Sequence, residues 1–300
     1  MNIIETLRSI SVENLFQMNT FDNCFPHWKP KIIQTIGETP TYNSILNLGD
    51  NLKDIFSVTA ETGRTQSSVS GGGASWEGLA CWYMNLCLMG SRTVVIKHAK
   101  KLIPRCIADS ITVNYGSFVS NTESDLIAIT FPNDKKFVED ISILTEDGKI
   151  DVEKKLNELC VEFFEKLKVA VIQCKTNWND NAQIPMLWEI VYSSRGFENR
   201  NITIGKNGFS MKDLDKFSYS FLTVPTGKSE YKTTSVAVKR VYNLSGGNYW
   251  GQPSKSGISN SIKEIFNRNF SNGWILGSQR NDLNNKLKDS GIDDYFSLSL

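Results

Sequence analysis

Histidine is scarce in this 300-residue sequence, which holds only His27 and His98. A nuclease built on a histidine-rich metal finger, or most multi-histidine metalloenzymes, would lack parts here. Cysteine does not fill the gap. Cys24, Cys81, Cys87, Cys106, Cys160 and Cys174 contain no Cys-x-x-Cys pair. Several lie in apolar runs and read as reduced core residues, so neither a zinc site nor a disulfide framework is expected. Long apolar runs are missing too: the longest, Leu79 to Met89, is broken by Asn85 and falls short of the roughly 20 residues that span a bilayer. The N-terminus lacks a basic region followed by an apolar core, so no signal peptide is indicated and a cytoplasmic location is expected. Charge excess is also absent, with 33 Lys and Arg against 32 Asp and Glu, so no global field attracts polyanions.

Internal repeats, low-complexity tracts and long Pro- or Ser-rich linkers do not occur. What is present is 40% apolar content over 300 residues, enough for a substantial core. One interdigitated α/β domain over residues 1–300 is expected. An N-terminal helical region, Ile3 to about Met18, precedes a polar loop from Glu61 to Ser75 that holds Gly71-Gly72-Gly73. Ser75 is a plausible N-cap for a buried helix from Trp76 to Met89, which Gly90 stops. Thr93 to Lys97 and Asp125 to Phe131 read as core strands, the second closed by Pro132. From Asp151 to Lys168, Val152, Leu156, Leu159, Cys160, Phe163, Phe164 and Leu167 keep helical spacing. That helix leads into a strand, Val169 to Cys174, whose end turns polar at Lys175 and Asn177. A short helix is predicted over Ile184 to Tyr192, with Pro185 as its first residue. Strands follow at Phe217 to Thr223 and Val236 to Tyr242, then helices marked by Ile258, Ile262, Ile265 and Phe266, and by Leu283 and Leu287.

Carboxylate chemistry is the place to look for function. Hydrolysis of a phosphodiester needs a divalent metal held by clustered oxygen ligands, with a cation nearby. Asp125 opens a core strand. Gln173-Cys174-Lys175 closes another, and its alternation puts Gln173 and Lys175 on one face. An Asp on one strand and an acid-x-Lys on its neighbour resembles the PD-(D/E)XK nuclease superfamily, with Gln-x-Lys as a variant. Ser124 stands where the motif has proline, and Gln173 stands where it has an acid. The resemblance covers roughly Ser75 to Tyr192. It implies a central mixed β-sheet flanked by helices around a restriction-endonuclease-like core (about 75–192), and a type II restriction endonuclease that cuts double-stranded DNA at a short sequence.

The resemblance also implies the site. Asp125 is a metal ligand and Lys175 the catalytic cation, with Gln173 offering at most an amide oxygen. A second acid is needed. In one subgroup it has migrated to the following helix, fourteen residues after the Lys; Glu189 lies at that distance from Lys175, and Asp125 and Lys175 are fifty apart. The subgroup's Arg two residues before the acid is replaced by Leu187. Glu77, on the helix before the first motif strand, is the other candidate, although an acid in a first turn also serves the helix dipole alone. Magnesium is the implied cofactor, with manganese able to substitute. The implied partners are DNA, a second copy of the chain matching a palindromic site, and a methyltransferase of the same system without a stable complex.

Candidate DNA contacts flank the expected strand ends: Arg64 and Ser70 before the Glu77 helix, then Asn177, Asn179, Asp180 and Asn181 after Lys175. Arg240, Asn248 and Tyr249 form a third group in a turn-rich segment. Arg92 to Arg105 holds five basic residues without an acid, and Lys228 to Lys255 holds five with only Glu230; either is also an ordinary solvated surface. Thr226-Gly227-Lys228-Ser229 imitates the end of a P-loop, but Leu222 occupies the position of its first glycine. Two alternatives stay open: a modification-dependent or repair nuclease of the same fold, and a catalytically inactive DNA-binding protein.

Overall fold

The computed structural model describes residues 1–60, 69–97, 102–116, 118–121, 124–141, 151–176, 203–224, 238–239, 247–249, 265–266, 283–288 and 293–298, with single positions at 234 and 262. Five helices open the chain: α1 (Ile3–Phe16), α2 (Asn19–Asp22), α3 (Phe25–Ile36), α4 (Tyr42–Asn47) and α5 (Leu52–Ala60). Asn2 caps α1 by accepting from the Glu5 backbone N–H at 2.9 Å, which satisfies one of the unpaired donors of the first turn. The next helix, α6 (Val69–Cys87), departs from the expected start at Trp76. Residues 69–75, predicted as loop, are helical and include all three consecutive glycines. Ser75 is therefore not the N-cap; its Oγ donates to the Gly72 carbonyl at 3.2 Å from inside the helix. Glycine weakens a helix by about 1 kcal/mol relative to alanine. Here the burial of Trp76, Leu79, Trp82, Tyr83, Leu86 and their neighbours outweighs that loss. Gly90, at φ 81°, ends the segment as predicted.

After α6 come β1 (Thr93–Lys97), α7 (Arg105–Ser110), β2 (Thr112–Asn114), β3 (Val119–Asn121), β4 (Leu126–Thr130) and α8 (Lys135–Val138). Then follow α9 (Val152–Glu162), β5 (Lys168–Thr176), β6 (Thr203–Ile204), β7 (Lys216–Val224) and β8 (Gly247–Tyr249). The predicted helix from Asp151 to Lys168 is split: Asp151 caps α9 by accepting from Lys154 N at 3.0 Å, and Phe164–Lys166 forms a 3-10 turn before β5. The strand predicted over Val236 to Tyr242 is helical at its two described residues, 238 and 239. Val238 is buried in the core there, so packing overrides its β-branched preference. Ile265 and Phe266 are helical, as are residues 283–288, where Leu283 and Leu287 predicted a helix. The predicted helix Ile184 to Tyr192 lies outside the described residues.

A five-stranded mixed sheet, in the order β1-β4-β5-β7-β8, lies between helices. β4 runs antiparallel to both β1 and β5, whereas β5, β7 and β8 are mutually parallel neighbours. A small sheet, β3-β2-β6, stands apart from it in the pairing. Strand alternation divides the core. Val95, Leu126, Ala128, Ala170, Ile172, Cys174, Leu222 and Val224 pack with the aromatic residues of α3, α5 and α6. Val94, Ile96, Ile127, Ile129, Val169, Val171, Tyr219 and Phe221 pack with α7 and α9.

β1 is an edge strand, and its outward backbone groups are taken by helix side chains. Asn85 Oδ1 accepts from Val95 N at 3.1 Å, and Asn85 Nδ2 donates to Val95 O at 2.7 Å. Ser11 Oγ also donates to Val95 O, at 2.9 Å, and Arg8 donates to Thr93 O at 2.7 Å. The asparagine that interrupts the longest apolar run is thus fully buried and does for β1 what a neighbouring strand would do.

Candidate active site

Asp125 immediately precedes β4, and Gln173 and Lys175 close β5, its antiparallel neighbour. The last register pair is Leu126 with Ile172, so one further step sets Asp125 against Gln173. Both continue the sheet face of Ile127 and Val171, and Lys175 follows two residues on. Asp125 Oδ2 accepts from the Cys174 backbone N–H at 2.7 Å and from Gln173 Nε2 at 3.2 Å. Lys175 Nζ lies 3.7 Å from the same oxygen. Asp125 Oδ1 has no hydrogen-bond partner among the described residues. The Asp125 side chain is 19% exposed and that of Lys175 23%, so the pair sits at the rim of the core with access to water. Ser124 and Thr223, the register partner of Lys175, carry buried hydroxyls that are unpaired among the described residues.

A second acid reaches this end of the sheet from the other face. Glu77 lies in the third turn of α6 rather than its first, which removes the simple helix-dipole explanation of its presence. It pairs with Lys97, the last residue of β1, whose ammonium also donates to the Ala74 carbonyl at 3.4 Å. Burial pushes the Glu77 carboxyl above the usual carboxylate range. The nearby Lys97 charge opposes that rise, Asp125 adds to it, and Lys175 opposes it. Glu77 therefore feels both members of the Asp125–Lys175 pair. Gly78, beside Glu77, admits the Phe21 ring; a Cβ there would fall 2.5 Å from its Cδ2. This close approach fixes α6 where it delivers the acid.

Gln173 is 3% exposed, and its Oε1 accepts from the Tyr219 hydroxyl of β7 at 3.0 Å. Burial pushes the Tyr219 hydroxyl well above its ordinary pKa, and the Asp125 charge adds to the effect. Cys81 and Cys174 lie on the α6 side of the sheet. Burial pushes the Cys81 thiol up to about 12 and raises Cys174 as well, so both stay protonated near neutrality and neither is a nucleophile. All six cysteines are free.

Asp125, Gln173 and Lys175 thus meet in direct contact, and Glu77 lies within electrostatic reach of Asp125 and Lys175. Glu189, Arg64, Asn177, Asn179, Asp180, Asn181 and Arg240 lie outside the described residues. Ser70 is in the first turn of α6, not in a loop, and Asn248 and Tyr249 lie on β8 beside Phe221 and Leu222. The stretch from Arg92 to Arg105 is not a uniform basic surface: Arg92 donates to the Phe131 carbonyl at 2.7 Å, and Lys97 is held by Glu77. Lys97 and Tyr219 were not singled out in the sequence. A lysine ending an apolar strand, as Lys175 does, was a usable signal for Lys97. Tyr219 shares a strand face with Phe217 and Phe221 and gave none.

Among the described residues, no three His, Cys, Asp or Glu side chains gather as a metal-holding group, and no helix is long and apolar enough to cross a membrane. The oxygen donors present nevertheless fit a hard divalent cation. Among the described residues, Asp125 Oδ1 has no partner, and Glu77, 20% exposed, engages Lys97 through Oε2. No protein-family model matches the chain, and no curated protein matches it.

Proposed function

We propose that this chain is a Mg²⁺-dependent endonuclease of the PD-(D/E)XK type, with a restriction-endonuclease-like core, that cuts double-stranded DNA at a specific short sequence. The observation that carries the reading is the meeting of Asp125 with Gln173 and Lys175, 48 and 50 residues away in the chain, at 3.2 and 3.7 Å across paired strands. A surface ion pair needs only Asp125 and Lys175. It does not need a buried glutamine on the same carboxylate, or a second acid from α6 pushed towards neutrality by burial.

Asp125 and Glu77 are the described residues that would hold the cation, which supplies a more acidic water and neutralises charge on the phosphate. Lys175, as an ammonium, orients the attacking water and offsets the charge that develops on the phosphoryl oxygens. Gln173 and the Cys174 N–H hold Asp125 in place. Lys97 balances Glu77, so the site presents two acids and two ammonium groups to a polyanionic substrate. Homodimer formation, cleavage support by Mn²⁺, a cognate methyltransferase and a cytoplasmic setting belong to the same proposal.

Incubation of the purified protein with unmodified plasmid and Mg²⁺ tests it. Discrete fragments are expected. Cleavage of modified DNA alone would reassign the chain to a modification-dependent nuclease. DNA binding without any cleavage would leave an inactive binding protein on this fold.

A further inference from the structure

We infer that Tyr219 is a positioning residue of this site, which makes Gln173 a hydrogen-bond donor to Asp125 instead of a metal ligand. The inference rests on the metal-dependent reading above. It follows from donor and acceptor capacity. A carboxylate accepts and cannot donate, so the Gln173 atom 3.2 Å from Asp125 Oδ2 is the amide nitrogen. The other amide atom is then the carbonyl oxygen, and Tyr219, 3.0 Å away, must be the donor to it. The order Tyr219 O–H to Gln173 C=O, then Gln173 N–H to Asp125, is the one direction in which both contacts are satisfied.

Packing holds this order. Tyr219 is 4% exposed and lies in the core with Val171 and Phe221. Gln173 Oε1 is the sole partner of its hydroxyl among the described residues. Turning the Gln173 amide over would point a carbonyl at the Asp125 carboxylate and leave the amide nitrogen facing the tyrosine. The neutral residue at the motif's acid position therefore works by aiming the acid. With Oδ2 held by Cys174 N and Gln173 Nε2, Oδ1 is the oxygen left for a cation.

A binding cycle in the metal-free, substrate-free protein tests the assignment. Mn²⁺ affinity would be measured calorimetrically for wild type, Tyr219→Phe, Gln173→Leu and the double variant. Each single change should weaken Mn²⁺ binding about three- to tenfold, the range of one net hydrogen bond. The double variant should bind no more weakly than the worse single variant, because the two residues form one relay. Thermal melts check folding, and if Tyr219→Phe melts far below wild type, Gln173→Leu carries the test from the other end of the relay. Tyr219→Phe with wild-type affinity, losses that multiply in the double variant, or tighter binding by Gln173→Leu would each overturn the inference while leaving the nuclease reading intact. A wild type that binds no Mn²⁺ would overturn both.

Discussion

Lys97, at the end of β1, is held by Glu77 of α6 at the same end of the sheet where Lys175 stands 3.7 Å from Asp125. Each acid thus has its own lysine, but the two lysines lie on different faces of the sheet. Lys175 follows the sheet face of Gln173 and Asp125. Lys97 follows the face of Val95, against α6.

Lys175→Ala should lower cleavage at least about a hundredfold while DNA affinity, measured by gel shift in Ca²⁺, stays near wild type. A variant that keeps a tenth of wild-type activity would have lost only about 1.4 kcal/mol of transition-state stabilisation, too little for the role assigned to it.

Glu77→Gln should abolish cleavage or sharply raise the Mg²⁺ needed for it, because it removes one of the two described carboxylates at the site. Glu189→Ala is the matched comparison. A Mg²⁺ titration of cleavage with Glu189→Ala impaired and Glu77→Gln unaffected would transfer the ligand role to Glu189 and return Glu77 to a structural partner of Lys97.

The pH dependence follows from burial. The folded pKa of Glu77 is raised, so protonated Glu77 is favoured by folding. Its contribution to stability is present below the unfolded pKa and is lost as pH rises through the folded one. Acidification from neutrality should therefore stabilise wild type relative to Glu77→Gln in paired thermal melts. At limiting Mg²⁺, where the carboxyl must ionise before it can bind the cation, cleavage should have its acid limb above the usual carboxylate range. Lys97→Met removes a charge that holds this pKa down, so its limb should lie at still higher pH than that of wild type.

Chelation should stop cleavage, and Mg²⁺ or Mn²⁺ should restore it, whereas Ca²⁺ should support DNA binding without turnover. Robust cutting in excess EDTA would remove the metal from the mechanism.

Asn85→Ala should destabilise the fold by about 2–3 kcal/mol in urea denaturation, since it strips partners from Val95 N and O in a water-free setting. Val161→Thr, at a position 53% exposed, is the control and should stay within about 0.5 kcal/mol.

The sheet was legible because strands buried on both faces have short β-branched runs that carry their own boundaries; Thr93–Lys97 matches its prediction residue for residue. The pairing of Asp125 with Gln173 and Lys175 was legible through a spacing that resembles a known motif. The start of α6 was not, because three consecutive glycines read locally as a loop while the force that makes them helical comes from distant aromatic contacts such as Phe56 with Trp76. Tyr219 was hidden for a related reason. Its ring belongs to the apolar pattern of β7, and only the fold shows where its hydroxyl ends. Lys97 could have been found by asking which strands end in a cation. Its partner could not, since Glu77 reaches it from a separate element.

The Asn85 clamp on Val95 has a meaning beyond the stability of β1. Asn85 and Glu77 lie on one helix, eight residues apart, about 12 Å along its axis at 1.5 Å per residue. The helix is therefore indexed to the sheet at one point and presents its acid at another, as a ruler pinned at one mark places every other mark. Any change that lets α6 slide or roll by a fraction of a turn carries Glu77 away from Asp125 without touching either residue. Slackness at the sealed edge of β1 would then reach the chemistry as a defect in alignment, in a protein that is still folded.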